Sequence, residues 1–183
     1  MRASLILSLS LLASACAASY SAGVDGDKPI SMLTVAEARL ACTNLSAHLQ
    51  DQFGGDRRDR FNCYVRALST TLTPDECRVA FDACMAAPPA GPLNIEPIDC
   101  STAGPDPSCS ARVSEVEDCL NASVDAFRER IDGVDCAIAG DAAALMRVQD
   151  PIPARAECTR LREVCPSYAD GPFASDDGPP PEG

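Results

Sequence analysis

Eleven cysteines in a chain of 183 residues place the strongest constraint on how this protein folds. A high cysteine content in a short exported chain indicates a disulfide framework, because oxidising compartments keep thiols paired. Ten of the cysteines form a set that allows five disulfides: Cys42, Cys63, Cys77, Cys84, Cys100, Cys109, Cys119, Cys136, Cys158 and Cys165. The eleventh, Cys16, lies apart from this set and needs a separate explanation.

The beginning of the chain has the composition of an export signal. Arg2 supplies a positive charge, an apolar run covers residues 5–12, and small residues precede Cys16. This run is shorter than the ~20 apolar residues that a membrane-spanning helix requires. The sequence therefore predicts a signal peptide over residues 1–15 and export from the cytoplasm.

This leader ends in a segment that resembles the lipobox of bacterial lipoprotein precursors, Leu12-Ala13-Ser14-Ala15-Cys16. The resemblance covers only the leader, and Ala13 stands where that family usually has leucine. It implies cleavage before Cys16 and a membrane anchor through a lipid on its thiol. Because Ala17 follows, it also implies the outer membrane or the cell surface. One alternative is ordinary cleavage after Ala15, which gives a soluble periplasmic or secreted protein, and another is cleavage after Ala17, which removes Cys16 with the leader.

Two blocks, residues 34–86 and 111–166, have the periodicity of amphipathic helices. Apolar side chains recur at steps of three and four, as in Val35, Ala38, Cys42, Leu45, Leu49 and Phe53, and again in Val113, Val116, Leu120, Val124, Phe127 and Ile131. Thr34, Thr73 and Ser110 are candidate N-caps. Later helices are predicted over 57–71, 74–86, 135–148 and 153–165. The sequence predicts an all-α fold of two disulfide-stapled three-helix units.

The two blocks share a pattern that indicates an internal duplication. Residues 42–46 and 119–123 both have the form C-x-N-x-S, with Asn44 and Asn121 at the same place. The last two cysteines of each block are seven residues apart, Cys77 and Cys84 in one and Cys158 and Cys165 in the other. A repeat of this kind predicts a duplicated three-helix unit. The alternative is that the two blocks match by coincidence in a chain rich in alanine and cysteine.

Helix geometry predicts which cysteines pair. Two cysteines seven residues apart on one helix are separated by ~10 Å along the axis, too far to bond to each other. With the helices of each unit packed antiparallel, cysteines at matching heights should pair. The predicted pairs are Cys42–Cys77, Cys63–Cys84, Cys119–Cys158 and Cys136–Cys165, which leaves Cys100 and Cys109 to pair within the linker.

Three segments between and beyond the blocks have few core-forming residues. Residues 16–33 are small and polar and are predicted to be a flexible tether. Residues 87–110 are rich in proline and glycine and are predicted to be a linker. Residues 167–183 are predicted to be a disordered acidic tail.

The sequence carries no recognisable catalytic or metal-binding motif, and we expect no catalytic residue, metal or cofactor. The only histidine is His48, for which a structural role is the expectation and catalysis the alternative. The sequence contains no C-x-x-C pair, which is the spacing typical of zinc sites and redox centres. It also contains no nucleophile elbow and no phosphate-binding loop. A net charge of −12 argues against a nucleic-acid partner, because phosphates repel an acidic chain.

The sequence thus predicts an exported, lipid-anchored envelope protein that binds another protein or has a structural role. In general appearance it is similar to the uncharacterised Cys-rich lipoproteins of bacteria, and this resemblance implies no activity. The alternative is a secreted, non-lipidated small enzyme or enzyme inhibitor. A pocket with His48 and a carboxylate would favour an enzyme, and a large exposed apolar patch would favour a binding module.

Overall fold

The computed structural model describes residues 19–150 and 152–165. Within these ranges it contains six α-helices: α1 (Val35–Phe53), α2 (Gly55–Thr70), α3 (Pro74–Met85), α4 (Val113–Asp132), α5 (Ala142–Gln149) and α6 (Ala156–Val164). Two short 3₁₀ turns lie at Ile30–Met32 and Cys136–Ile138. The described part of the chain contains no strand, only an isolated bridge between Pro29 and Arg112. The all-α fold class is confirmed.

The predicted signal peptide (1–15), the lipidation site Cys16 and the acidic tail (167–183) lie outside the described residues. Among the residues that are described, no helix has both the length and the hydrophobicity needed to cross a bilayer.

The helix starts follow the capping chemistry of the sequence in two cases and depart from it in a third. Thr34 and Glu37 form a reciprocal capping box at α1, and Thr73 accepts from the amide of Glu76 at α3. At α4, however, the N-cap is Arg112 rather than Ser110. The Ser110 amide instead donates to the Val164 carbonyl at 3.1 Å, so contact with α6 holds this residue outside the helix.

The region predicted as one helix over 135–148 is interrupted at Gly140. This glycine has a φ of 80°, and a Cβ atom there would lie 2.4 Å from the Leu72 carbonyl oxygen. A left-handed glycine packed against another backbone ends a helical segment, so only the 3₁₀ turn and the short α5 form. The last helix is also shorter than predicted, since α6 begins at Ala156 rather than at residue 153.

Three hydrophobic clusters make up the core, and each contains residues from both predicted units. The first joins the N-terminal residues and α1 to α4 and α6. The second joins α2 and α3 to residues around Cys136. The third brings Phe53 against Val124 and Ile131, with Leu93 from the predicted linker. The two-unit arrangement is therefore not confirmed, because the helices of both blocks share their apolar interior.

All ten cysteines of the predicted set form disulfides, but three of the five pairs differ from the prediction. Cys63–Cys84 and Cys119–Cys158 are confirmed. The predicted pairs Cys42–Cys77, Cys136–Cys165 and Cys100–Cys109 are wrong, since the structure contains Cys42–Cys100, Cys77–Cys136 and Cys109–Cys165. The prediction assumed three mutually packed helices in each block. Instead, α3 packs on α2 and the 136–138 turn, whereas α1 packs on α2 and α4.

The predicted tether is also wrong for its described part, residues 19–33. Tyr20, Ala22, Ile30 and Leu33 are buried and belong to the first core cluster. We call residues 19–33 the N-terminal segment. The backbone of this segment is bound to α1 and α4 by the hydrogen bonds described below, so it forms part of the domain rather than a spacer.

The predicted linker is free of helix and strand, and we call residues 86–112 the central segment. It is nevertheless fixed at several points. The buried Asn62 side chain on α2 donates to the Leu93 carbonyl at 3.0 Å and accepts from the Leu93 amide at 2.9 Å. Cys100 and Cys109 bond covalently to α1 and to the end of α6.

Candidate binding pocket

An apolar pocket of about 350 Å³ lies between α1, α4 and α6. The N-terminal segment and the central segment complete its walls. Its size and its mostly apolar lining are those of small-molecule sites, which span ~300–1,000 Å³. The lining consists of Tyr20, Ala22, Ile30, Leu33, Ala38, Ala41, Cys42, Leu45, Ile98, Ala103, Gly104, Asp106, Val113, Val116, Glu117, Cys119, Leu120, Cys158, Leu161 and Arg162.

The space exists because small side chains occupy the wall formed by α1. Ala38 and Ala41 lie three residues apart on one face of this helix, opposite Val113, Val116 and Leu120 of α4. Alanine at these positions leaves volume that leucine would fill. The aliphatic side chains of α1 and α4 therefore surround the pocket instead of filling it.

Two disulfides fix the separation of the pocket walls. Cys119–Cys158 joins α4 to α6 with a Cα–Cα distance of 4.7 Å, and Cys42–Cys100 joins α1 to the central segment at 5.7 Å. Cys42, Cys119 and Cys158 line the pocket. Covalent links of this kind restrict the collapse that would otherwise reduce an apolar cavity.

The two asparagines of the C-x-N-x-S repeat hold the N-terminal segment from opposite sides. Asn121 on α4 accepts from the Tyr20 amide at 2.6 Å and donates to the Tyr20 carbonyl at 3.2 Å. Asn44 on α1 donates to the Ala22 carbonyl at 2.9 Å. Sequence reasoning found the repeat but missed this role, although the matched position of the two asparagines was the signal. The duplication itself stays a hypothesis.

Further bonds complete the attachment of the segment. The Glu117 carboxylate accepts from the Ala22 amide at 2.6 Å and from the Ser21 hydroxyl at 3.3 Å. The amide of Val113 donates to the Lys28 carbonyl, and the amide of Ile30 donates to the Ala111 carbonyl. Backbone groups that would be solvated in a flexible tether are thus paired with protein.

Tyr20 forms one wall of the pocket and is 6% exposed. Its hydroxyl donates to the Ala41 carbonyl at 3.0 Å, so the polar end of the side chain is already paired. The ring presents apolar surface to the pocket, and its centroid lies 5.8 Å from that of His48.

Three charged side chains are among the lining residues. Glu117 is engaged with the N-terminal segment, and Asp106 accepts from the amide and hydroxyl of Ser108 at 2.9 and 2.6 Å. Arg162 is half-buried. Two carboxylates and one guanidinium leave an excess of negative charge beside the apolar surface.

His48 lies on α1 but is not one of the pocket-lining residues. Its Nε2 atom is buried and has no hydrogen-bond partner among the residues described. Burial lowers the pKa of His48, and Arg128 lowers it further, whereas Asp51 and Asp125 act in the opposite direction. The lowered pKa favours the neutral imidazole, and the structure does not bring His48 together with a carboxylate in the pocket.

A second cleft of about 400 Å³ lies between the start of α2 and the end of α4 and is polar. Arg57 pairs with Asp132 across it at 3.1 Å. Arg60 lies over the stacked rings of Tyr64 and Phe81, whose centroids are 4.0 Å apart. The cations of this cleft are already engaged with neighbouring protein groups.

No group of three or more histidine, cysteine or acidic side chains within the described ranges is placed to hold a metal ion. The ten cysteines of the predicted set are oxidised, so their thiolates are not free as ligands.

Comparison with protein families, curated proteins and solved structures gives no match for this chain. The function is therefore inferred from the geometry of the pocket and from the sequence.

Proposed function

We propose that this protein is an exported, lipid-anchored envelope protein whose disulfide-stabilised helical domain binds the apolar part of a partner molecule. The pocket between α1, α4 and α6 carries this proposal, because it is concave, mostly aliphatic and framed by covalent links. Concave apolar surface of this size is the usual form of a binding site.

The disulfides support the proposed location outside the cytoplasm. Five disulfides in one small domain are typical of proteins that work in an oxidising, extracytoplasmic environment. Attachment through Cys16 is supported by the lipobox-like leader and by cysteine parity, since the other ten cysteines need no further partner.

A binding role fits the pocket better than catalysis. An enzyme needs a nucleophile or base next to the reacting atom. The charged lining residues are Asp106, Glu117 and Arg162, and both carboxylates already accept hydrogen bonds from neighbouring protein groups. We therefore propose that the pocket holds its ligand without chemical change.

The anchor can be tested by intact-mass analysis of the mature protein from membranes. We expect the mass of a chain that begins at Cys16 and carries a diacyl or triacyl group. The Cys16→Ser variant should lose this mass and leave the membrane fraction. An unmodified mature chain in the wild-type sample would contradict the anchor.

The pocket can be tested separately with the soluble Cys16→Ser protein and N-phenylnaphthylamine, a neutral apolar probe whose fluorescence rises in apolar sites. Gly104→Phe and Ala41→Leu should each weaken probe binding by about tenfold or more, because both add apolar volume at the lining. A Cβ at Gly104 meets no atom within 4 Å, so its backbone position tolerates the side chain.

Val79→Phe is the matched control, because Val79 is 72% exposed on α3 and is not a lining residue. It should bind the probe like the parent protein. Circular dichroism and disulfide mapping would verify that each variant is folded. An absence of probe binding, or unchanged binding in both pocket variants, would contradict the proposed binding site.

A further inference from the structure

We propose that the pocket takes one ester- or amide-linked acyl chain of a lipid. This inference rests on the proposed function, since it names the chemical class of the molecule that the pocket binds. Three observations carry it: the aliphatic lining, the charge around the pocket and the short distance in sequence between Cys16 and the pocket wall.

The lining is suited to an alkyl chain rather than to a polar or aromatic ring. Most of the lining residues are alanine, valine, leucine and isoleucine, and the others are three disulfide-bonded cysteines, one glycine, three charged residues and Tyr20 as the one aromatic residue. The Tyr20 hydroxyl is already bonded to the Ala41 carbonyl, so it offers little to a polar ring. An alkyl chain needs only apolar contact, and its free energy of burial grows with each methylene that leaves water.

The charge argues for a linked acyl chain rather than a free fatty acid. Asp106 and Glu117 outnumber Arg162 at the lining, and the whole chain carries a net charge of −12. A free carboxylate at the pocket would meet this negative field. An ester or amide carbonyl has no charge and avoids that repulsion.

The chain places a predicted lipid close to the pocket. Tyr20 lines the pocket and lies four residues after Cys16, which corresponds to at most ~14 Å of extended chain. Asn121 and Glu117 fix the backbone at Tyr20 and Ala22. A lipid on Cys16 would therefore be within reach of the pocket, so we take the two sources of the acyl chain to be Cys16 itself and a neighbouring membrane lipid.

The ligand class can be tested by competition on the soluble Cys16→Ser protein. Monoacylglycerols with chains of 6, 8, 10 and 12 carbons are titrated, below their aggregation limits, against bound N-phenylnaphthylamine. We expect the affinity to rise by about fourfold for each added methylene until the pocket is full. Decanoate should bind more weakly than the monoacylglycerol with the same chain, and Gly104→Phe should weaken the whole series relative to Val79→Phe.

The outcomes separate this inference from the proposed function. If the probe binds but monoacylglycerols of every length fail to displace it, the acyl-chain inference is overturned and the apolar pocket stands. If decanoate binds more tightly than the monoacylglycerol, the charge argument is overturned and the ligand is an anion. If the probe itself does not bind, both the inference and the proposed binding site fall.

The source of the chain can be tested with diazirine-labelled acyl groups and mass spectrometry. In one arm the label is incorporated into the lipid on Cys16, and in the other the Cys16→Ser protein is mixed with vesicles of diazirine-labelled phosphatidylcholine. Crosslinks to residues 38–45 or 113–120 are expected in the first arm for an acyl chain of the protein itself, and in the second for a membrane lipid. If no crosslink to either region is found in either arm, the inference is overturned.

Discussion

The N-terminal segment and the central segment look alike in sequence but are held in different ways. Both lack regular helical periodicity, and both were expected to be connectors. The N-terminal segment is held without covalent links, by its buried apolar side chains and by hydrogen bonds between its backbone and the side chains of Asn44, Asn121 and Glu117. The central segment is held by two disulfides and by the bonds between Asn62 and Leu93.

A segment without helical periodicity is therefore not necessarily flexible, and the strength of its attachment depends on whether the attachment is covalent. Disulfides act chiefly on the unfolded state and persist through any local opening. Hydrogen bonds at a partly exposed surface exchange with water and open more readily. The N-terminal segment, which forms a wall of the pocket, is therefore the one that can open without breaking covalent bonds.

The largest effect is expected from removing the disulfide that holds the end of the central segment. Cys109 and Cys165 are 56 residues apart, and the double alanine variant should lose about 4 kcal/mol of unfolding free energy in the chain-entropy model. Urea unfolding would measure the loss. The Cys63 and Cys84 double alanine variant is the control, with a separation of 21 residues and an expected loss of about 3 kcal/mol. A loss near zero for the first variant would contradict a stabilising role for Cys109–Cys165 and would leave Cys42–Cys100 and Asn62 as the attachments of the central segment.

The next effect concerns the hydrogen bonds of the central segment. Asn62→Ala should cost about 2–4 kcal/mol, because it leaves the buried amide and carbonyl of Leu93 without partners. Asn94→Ala is the matched control and should have little effect, since Asn94 is exposed and, among the described residues, its side chain bonds only to that of Glu96. Thermal and urea unfolding would check both values, and equal losses in the two variants would contradict the assignment.

A smaller effect is expected for the N-terminal segment. Asn121→Ala should cost about 1–2 kcal/mol, and Asn44→Ala should cost less because it removes one bond instead of two. Amide hydrogen exchange should become faster at Tyr20 and Ala22 while the amide of Leu93 is unchanged. Faster exchange at Leu93 as well would mean that the two segments open together.

The smallest effect concerns the ion pair at the end of the N-terminal segment. Lys28, together with the amide and hydroxyl of Thr34, holds the pKa of Glu37 at about 2, below its ordinary value of 4.5. Because the pKa is lower in the folded state, this stabilisation is present above pH 4.5 and is lost as the pH falls from 4.5 to about 2. NMR titration should give a higher pKa for Glu37 in Lys28→Gln. An unchanged pKa would show that Thr34 alone is responsible.

Local chemistry in the sequence predicted much of the helical framework. The capping box at Thr34 and Glu37 and the start of α3 at Thr73 depend on neighbouring residues, and both are confirmed. Cys63–Cys84 is also confirmed, because α2 and α3 are adjacent helices packed against each other. The pairs that crossed larger distances were missed, since the sequence does not say which helices of the two blocks meet.

The pocket could not be predicted in the same way. Its walls come from α1, α4, α6 and both connecting segments, and no local pattern indicates that Ala38 and Val116 line the same pocket. The matching asparagines gave the one usable signal, because their equal positions in the two blocks place them on corresponding faces of α1 and α4.

The sequence alone was enough to predict that the chain is helical, where α1 and α3 begin, and that ten cysteines are available for disulfides. Periodicity and capping depend on residues that are close in sequence, and cysteine content is a matter of composition, so all three can be evaluated without the fold. The tertiary structure alone decided that Cys77 bonds to Cys136, that residues 19–33 pack into the domain, and that a pocket remains between α1, α4 and α6. These features depend on how distant apolar faces are combined, which is set by the packing of the whole domain.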